Sequence, residues 1–421
     1  MLTAIVGINW GDEGKGRMVD LLSADYDIIC RYQGGNNAGH TVVNDRGKFI
    51  LNLLPSGILR ETTVNIMGNG MVIDIEHLVN EAGKLREQGI KITPDNLKIS
   101  DKAIICLPYH RLMDIMEEDR LADKKFGSTR RGIAPVYADK YMKKALRMED
   151  LLDMDSLYEK VKDIVEWKNI TVKGYGHEPV DADEIMDWLK KYGSEVAPYI
   201  TDVSDYLYQA AAEGRNIMFE AQLGALRDID FGIYPYTSSS TTLASFAPIG
   251  AGVPGLTLTG TLGIMKAYST CVGEGPFTVE MSGDEAEALR KAGGEYGAAT
   301  GRPRRVGAFD IPASKYGVRV QGATEIALTK LDVLSYMDKI PVCTAYEIDG
   351  IKTTDFPTGQ RLLRAKPVIE YLPGFGDVSK CRTYEELPQA AKDYIAYIEK
   401  AVACKITYVS VGAGRDEYIK L

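Results

Sequence analysis

Short apolar runs rich in β-branched residues recur along the chain, at Leu2–Ile8, Tyr26–Gln33, Thr62–Met67, Ala103–Leu107, Asn216–Phe219, Leu256–Ile264, Thr324–Leu328, Ile340–Ala345 and Ile406–Val411. Continuous rather than alternating apolarity is the pattern of strands covered on both faces. Helical spacing appears between several of them. Leu157, Val161, Ile164 and Val165 share one face, as do Ile185, Trp188 and Leu189 ahead of Gly193, which reads as a stop. The alternation predicts an α/β protein: a large, mainly parallel central β-sheet flanked by helices, with a helical insertion over about 148–213 packed on one side. No Pro/Ser-rich linker, low-complexity tract or repeat divides the chain, so one large α/β unit over 1–421 is expected. In such sheets ligands collect beyond the carboxyl ends of strands, and the loops there should carry the chemistry.

The first of these loops, NWGDEGKG (Asn9 to Gly16), looks like a phosphate loop drawn too tight. Gly11, Gly14 and Gly16 let backbone N–H groups approach an anion at a helix N-terminus, and Lys15 adds charge. A glycine-rich turn with no ligand is the bland alternative, but the acids sharpen the case. A carboxylate among phosphate-binding amides would be repelled unless it binds Mg²⁺ or takes a proton from a second substrate, and Asp12 suits either task. The second loop, RYQGGNNAGHT (Arg31 to Thr41), is dense in amide donors and places His40 among small residues at a strand end. Near a triphosphate that imidazole would donate to a bridging or leaving oxygen.

Five further segments follow. GSTRRG (Gly127 to Gly132) sets hydroxyls beside arginines and suits a monophosphate; alone it also reads as a solvated turn. YPYTSSSTT (Tyr234 to Thr242) offers uncharged donors. GAATGRPRRVG (Gly297 to Gly307) places Arg302, Arg304 and Arg305 in a glycine-bounded loop suited to closing over carboxylate or phosphate. TKLDVL (Thr329 to Leu334) follows a strand as the guanine-reading segment of GTPases does, with a carboxylate to accept from guanine N1–H and its 2-amino group. VSVGAG (Val409 to Gly414) is a strand-end turn able to line a base pocket.

The net charge of −9 argues against non-specific nucleic-acid binding. No apolar run approaches the roughly 18 residues of a membrane span, and no leader pattern is evident. Cysteines 30, 106, 271, 343, 381 and 404 are scattered without pairing to histidines, which speaks against structural zinc or disulfides. A cytoplasmic protein with reduced thiols is expected, without membrane or nucleic-acid partners.

In this order the segments resemble the adenylosuccinate synthetase family, GTP-dependent ligases that join IMP and L-aspartate. The resemblance covers essentially the whole chain, and WGDEGKG followed by QGGNNAGHT is its most specific part. It implies a P-loop-GTPase-like fold and formation of adenylosuccinate through 6-phosphoryl-IMP, with release of GDP and phosphate, as the first committed step from IMP to AMP. Asp12, His40 and Lys15 would be catalytic, Asp12 by removing the N1 proton of IMP and His40 by stabilising charge that moves to the GDP side. Asp12 and the Gly39 carbonyl would touch Mg²⁺, the implied cofactor. GTP would be met by Gly11, Asp12, Glu13, Gly14, Lys15, Gly16 and Arg17, by Gly39, His40 and Thr41, and by Arg304. Lys330, Leu331, Asp332, Ser410, Val411 and Gly412 would frame its base. IMP would be met by Asp12, Glu13, Gly14, Lys15, Asn37, Ala38, Gly39, His40, Thr129, Gln222, Ser238 and Arg302. Ala298, Ala299, Thr300, Gly301, Arg302, Pro303 and Arg304 would hold L-aspartate. A homodimer is also implied, with Lys143 reaching the partner's IMP site.

The chain departs from the family pattern in four places. Lys143 replaces an arginine, which keeps the charge and loses the planar fork. FEAQLG stands for FEGAQG, so Gln222 comes one position early and Leu223 takes the aligned place. Cys271 replaces an arginine and reads as a small buried residue. Pro303 stiffens a position often held by arginine. A small-molecule kinase would need no carboxylate-binding arginines. A GTP-dependent switch would need neither His40 nor a base beside the γ-phosphate, and a binding protein without activity is the remaining alternative.

Overall fold

The computed structural model describes residues 1–44, 47–297, 301, 303–357 and 359–421, with the backbone alone at 43 and 44. At its centre is a ten-stranded sheet. From one edge to the other its strands are Tyr418–Lys420, Ile406–Ser410, Glu325–Thr329, Gly260–Lys266, Leu2–Gly7, Ile217–Glu220, Ile28–Arg31, Val64–Met67, Leu97–Ser100 and Ile200–Thr201. Every neighbouring pair is parallel except the first. The carboxyl ends of the central strands therefore share one edge, and the motifs at 9–16, 31–41, 329–334 and 409–414 lie there. Those at 127–132, 234–242 and 297–307 do not directly follow a central strand.

The continuous apolar runs are explained by burial on both faces. In Leu2–Gly7, Ile5 points to one side and packs with Met18 and Val19 of the helix Lys15–Leu22. Ala4 and Val6 point to the other and pack with Val203 and Leu207 of the helix Val203–Ala212. Each such aliphatic side chain contributes about 1.5–3 kcal/mol on burial, so neither face tolerates a charge. Over the half of the sheet that contains Leu97–Ser100, the helices Ile75–Glu87, Met154–Gly174 and Ala182–Val196 share a further core with Leu97, Ile99 and Ile105.

Several expectations are corrected. Gly193 does not stop its helix, which runs Ala182–Val196; a Cβ there would lie 3.0 Å from Leu151, so the glycine serves helix packing. The 148–213 stretch is not wholly helical, because Ile200–Thr201 forms the sheet edge. Ala103–Leu107 yields only Ile104–Ile105, paired with Val72–Ile73 outside the central sheet. Ile340–Ala345 lies in Lys339–Ile348, the core of a separate four-stranded sheet. It pairs antiparallel with Lys366–Pro373 and Ile351–Thr353, which apolar content could not distinguish from a central strand. The first helix begins at Lys15, not Arg17, because Gly14 caps it in the left-handed region. No helix among the described residues is long and apolar enough to cross a membrane.

Candidate functional site

The first loop bends through three left-handed positions, Gly11 (φ 100), Asp12 (φ 59) and Gly14 (φ 98). Only Asp12 carries a side chain there, a conformation that Asp and Asn adopt more readily than most residues. The two acids are put to different uses. Glu13 is turned inward, its carboxylate accepting from the N–H groups of Asn9 (3.1 Å) and Gly11 (2.8 Å) and pairing with Lys15 at 2.7 Å. It braces the loop from behind, so any ligand contact by Glu13 falls to its backbone. Asp12 remains about a third exposed, with Oδ2 3.1 Å from Nε of Arg304. Gly16 stands where a phosphate loop has a hydroxyl residue because His40 packs against it, at 2.6 Å from where a Cβ would sit.

The second loop lies beside the first. His40 does not remain in the loop as expected, but opens the hairpin His40–Asn44/Gly47–Leu51, with Thr41 opposite Ile50. Its Nδ1 lies 2.5 Å from Oε1 of Glu220, a wholly buried acid at the carboxyl end of the neighbouring strand. Burial would raise the Glu220 pKa, but His40, Arg31 and the Ser56 hydroxyl outweigh it and hold the carboxylate ionised. Nδ1 is thereby committed, leaving Nε2 for a substrate. Glu220→Gln should keep the fold and lower kcat about 10²-fold, read by steady-state kinetics, because the ring loses its orienting charge.

Gln222 clasps the same loop despite its shifted place in sequence. Its Nε2 donates to the carbonyls of Gly35 (2.9 Å) and Ala38 (3.2 Å), and the side chain of Asn52 also reaches Ala38. A Cβ on Gly34 would fall on Oε1 of Gln222, so that glycine is required by close approach. Asn37 Oδ1 accepts from the Gly35 N–H, while Gly39 is exposed.

The helix that follows the third motif, not the motif itself, faces the fourth. Asp114 and Glu118, on the helix Pro108–Leu121, bind the loop 126–132 through Ser128 Oγ and the N–H groups of Phe126, Gly127 and Gly132. Ser128 is thus committed, and Thr129 is the exposed hydroxyl. The helix Ile133–Met142 shares a cleft of about 190 Å³ with Ser239, Ser240 and Thr241. Ser238 Oγ lies 3.2 Å from Ser240 Oγ, which reaches Gln33 at the root of the second loop. Lys143 caps the same helix in the left-handed region and is exposed. The buried Cys271 meets a guanidinium from elsewhere: Nη2 of Arg227 lies 3.1 Å from its sulfur. Burial pushes that thiol's pKa up, as suits an inert packed residue.

The arginine segment is only partly a loop. Arg305 lies in the strand Arg305–Gly307, paired with Ser269–Cys271, and its guanidinium is bound to Glu280; it belongs to the scaffold. Arg304 faces Asp12, and Pro303 forms a bridge with Tyr296. Gly301 is described, whereas Ala298, Ala299, Thr300 and Arg302 lie outside the described residues.

On the far side, the turn after Glu325–Thr329 meets the end of Ile406–Ser410. Lys330 donates its N–H to Ser410 Oγ at 3.3 Å. Arg17 reaches Ser410 Oγ and the Gly414 carbonyl and stacks over Tyr418. Leu331 and Val411 are fully buried in the core, so only their backbones face a ligand. Asp332 Oδ1 is buried without a hydrogen-bond partner, and burial raises its pKa. An orphaned acceptor is costly unless a donor arrives. A base edge presenting two N–H groups fits it.

Asp12 and the Gly39 carbonyl supply oxygen donors only, which suits Mg²⁺, a cation that completes its shell with water and phosphate. Groups of three or more acidic, histidine or cysteine residues able to hold a metal are absent among the described residues, so any such ion would depend on substrate oxygens.

The sequence profile of the adenylosuccinate synthetase family matches residues 4–419. The chain belongs to that family. The family's name is that of a ligase of purine biosynthesis, and similar chains carry the same name. The adenylosuccinate synthetase of Halothermothrix orenii is 46% identical over 99% of this chain and 97% of its own. That of Clostridium novyi is 43% identical over 99% and 98%. The fully ligated adenylosuccinate synthetase structure from Plasmodium falciparum superposes with a TM-score of 0.93 at 34% identity, covering 100% of this chain and 99% of that one. Two buried acids escaped sequence reading. Glu220 had a signal, an acid ending an apolar strand; Glu295, described below, had none.

Proposed function

We propose that the chain converts IMP, L-aspartate and GTP to adenylosuccinate, GDP and phosphate. The observation that carries this reading is Asp12: a part-exposed carboxylate, held by Arg304, among the amides and lysine of an anion-binding loop. There it serves a second substrate whose proton must be removed. Asp12 takes the proton from N1 of IMP, and O6 becomes nucleophilic enough to attack the γ-phosphorus of GTP. The bond from that phosphorus to the bridging oxygen breaks, and GDP leaves. His40 Nε2 faces the charge that moves, and Lys15 turns to it from the pair it makes with Glu13. The aspartate amine then attacks C6, phosphate departs from it, and the amine loses a proton.

Asp12 and Gly39 would hold Mg²⁺, which when bound supplies charge neutralisation at the phosphates. Arg304 turns from Asp12 towards aspartate or nucleotide as the site fills. Asp332 accepts from guanine, between Lys330 and Ser410. Thr129, Gln222 and Ser238 serve IMP. The same reading makes the protein a cytoplasmic homodimer in which Lys143 reaches the partner's IMP phosphate. Its support is the exposure of Tyr141 (76%) and Met142 (60%) beside that lysine. Protein, Mg²⁺, GTP and IMP incubated with and without L-aspartate test the reaction by ultraviolet absorbance and phosphate release. Aspartate-dependent adenylosuccinate with equimolar phosphate is expected; phosphate without it sinks the ligase reading.

A further inference from the structure

One buried carboxylate touches both halves of the site. Glu295 follows the helix Gly283–Gly293 and has no exposed surface. Its Oε1 accepts from Lys330 Nζ (2.8 Å), Lys266 Nζ (2.9 Å) and the Tyr268 hydroxyl, and its Oε2 from Arg304 Nη1 (2.8 Å). Its backbone carbonyl also accepts from the Arg304 N–H at 2.9 Å. Lys330 therefore points its ammonium inward, onto Glu295 and the Gly293 carbonyl, while its backbone begins the turn that carries Asp332. Arg304 extends from Glu295 to Asp12. Direct contacts thus run from the guanine turn through Lys330, Glu295 and Arg304 to the base.

We propose that Glu295 is a positioning residue that sets, through its two carboxylate oxygens, both the guanine-side turn and the arginine that holds Asp12. The proposal rests on the functional reading above. Burial pushes the Glu295 pKa up, but Lys266, Lys330 and Arg304 together hold it well below the usual carboxylate range. The group stays ionised, so it acts through placement and not through proton transfer. Lys266, pushed down to about 8 by burial, completes the cluster and bonds Thr270 at 2.8 Å. Removing the negative charge leaves three cations converging on a neutral group, and Lys330 and Arg304 must both move.

The prediction separates the substrates. Glu295→Gln should raise the KM for GTP and for L-aspartate about tenfold each, with the KM for IMP within about twofold, because Thr129, Gln222 and Ser238 touch none of this cluster. Asp12, which Arg304 does touch, acts on IMP in the transition state. A residue that merely supports the fold would move all three constants or none. Circular dichroism checks folding. If the single variant does not fold, Glu295→Gln/Lys266→Met, which removes one surplus cation, should fold and show the same split. Glu295→Asp, too short to serve both sides, should raise at least one of the two constants. A folded variant whose three constants stay within twofold, or rise together, overturns the proposal. Absence of turnover in the unsubstituted protein would sink the ligase reading instead; calorimetric GTP binding then tests Glu295, and an unchanged Kd in the variant overturns its role.

Discussion

Asp12→Asn should lower kcat by about 10³-fold or more while GTP affinity stays within about tenfold. Asparagine tolerates the left-handed φ of 59 at this position, so the loop backbone is expected to survive. On the proposed mechanism, what disappears is the capacity to hold the N1 proton of IMP when O6 attacks. Without that, a neutral lactam oxygen must displace GDP, and the loss falls on the transition state rather than on binding. Arg304, freed from its partner 3.1 Å away, should bind anions no worse. Rapid-quench or steady-state kinetics combined with calorimetric GTP binding checks this. A variant that keeps kcat and only raises the KM for GTP would demote Asp12 to a metal ligand.

The second large effect is expected at the base pocket. Asp332→Asn should weaken GTP binding by about 1.5–3 kcal/mol, the usual worth of hydrogen bonds to a charged group, and relax discrimination against ATP. The structural reason is the orphaned Oδ1, a buried acceptor without a hydrogen-bond partner, whose desolvation the proposed guanine N1–H and amino group would offset. An amide at the same place presents a donor to one of those donors. Initial rates with GTP, ITP and ATP measure it, and unchanged selectivity would remove Asp332 from the pocket. A loss confined to Asp332→Asn, with IMP kinetics preserved, also distinguishes this pocket from the Glu295 cluster, where L-aspartate is affected as well.

The loops could be read from the chain because their chemistry is local. Gly11, Gly14 and Lys15 need only a strand before them and a helix after them to form an anion site, and that context is written in adjacent residues. Gly16 and Gly34 are different: their missing side chains make room for His40 and Gln222, contacts that no local pattern reveals. The same division explains the errors. Gly193 looked like a helix stop, yet it is packed against Leu151 from a distant turn. Arg305 looked like its neighbour Arg304, yet strand pairing with Ser269–Cys271 turns the two to opposite tasks. Glu13 and Asp12 are adjacent acids; one braces the loop and the other faces the open site.

By itself, then, the sequence determined the α/β alternation, the ordered set of glycine and arginine loops, and the family to which they belong. Those depend on short-range backbone freedom, apolar periodicity and motif order. Only the tertiary structure decided which charges meet. His40 finds Glu220 180 positions away. Lys266, Lys330 and Arg304 converge on Glu295 because the strands Gly260–Lys266 and Glu325–Thr329 end side by side. Pairing of buried charges is set by where parallel strands terminate together, and nothing in the spacing of residues along the chain encodes that edge.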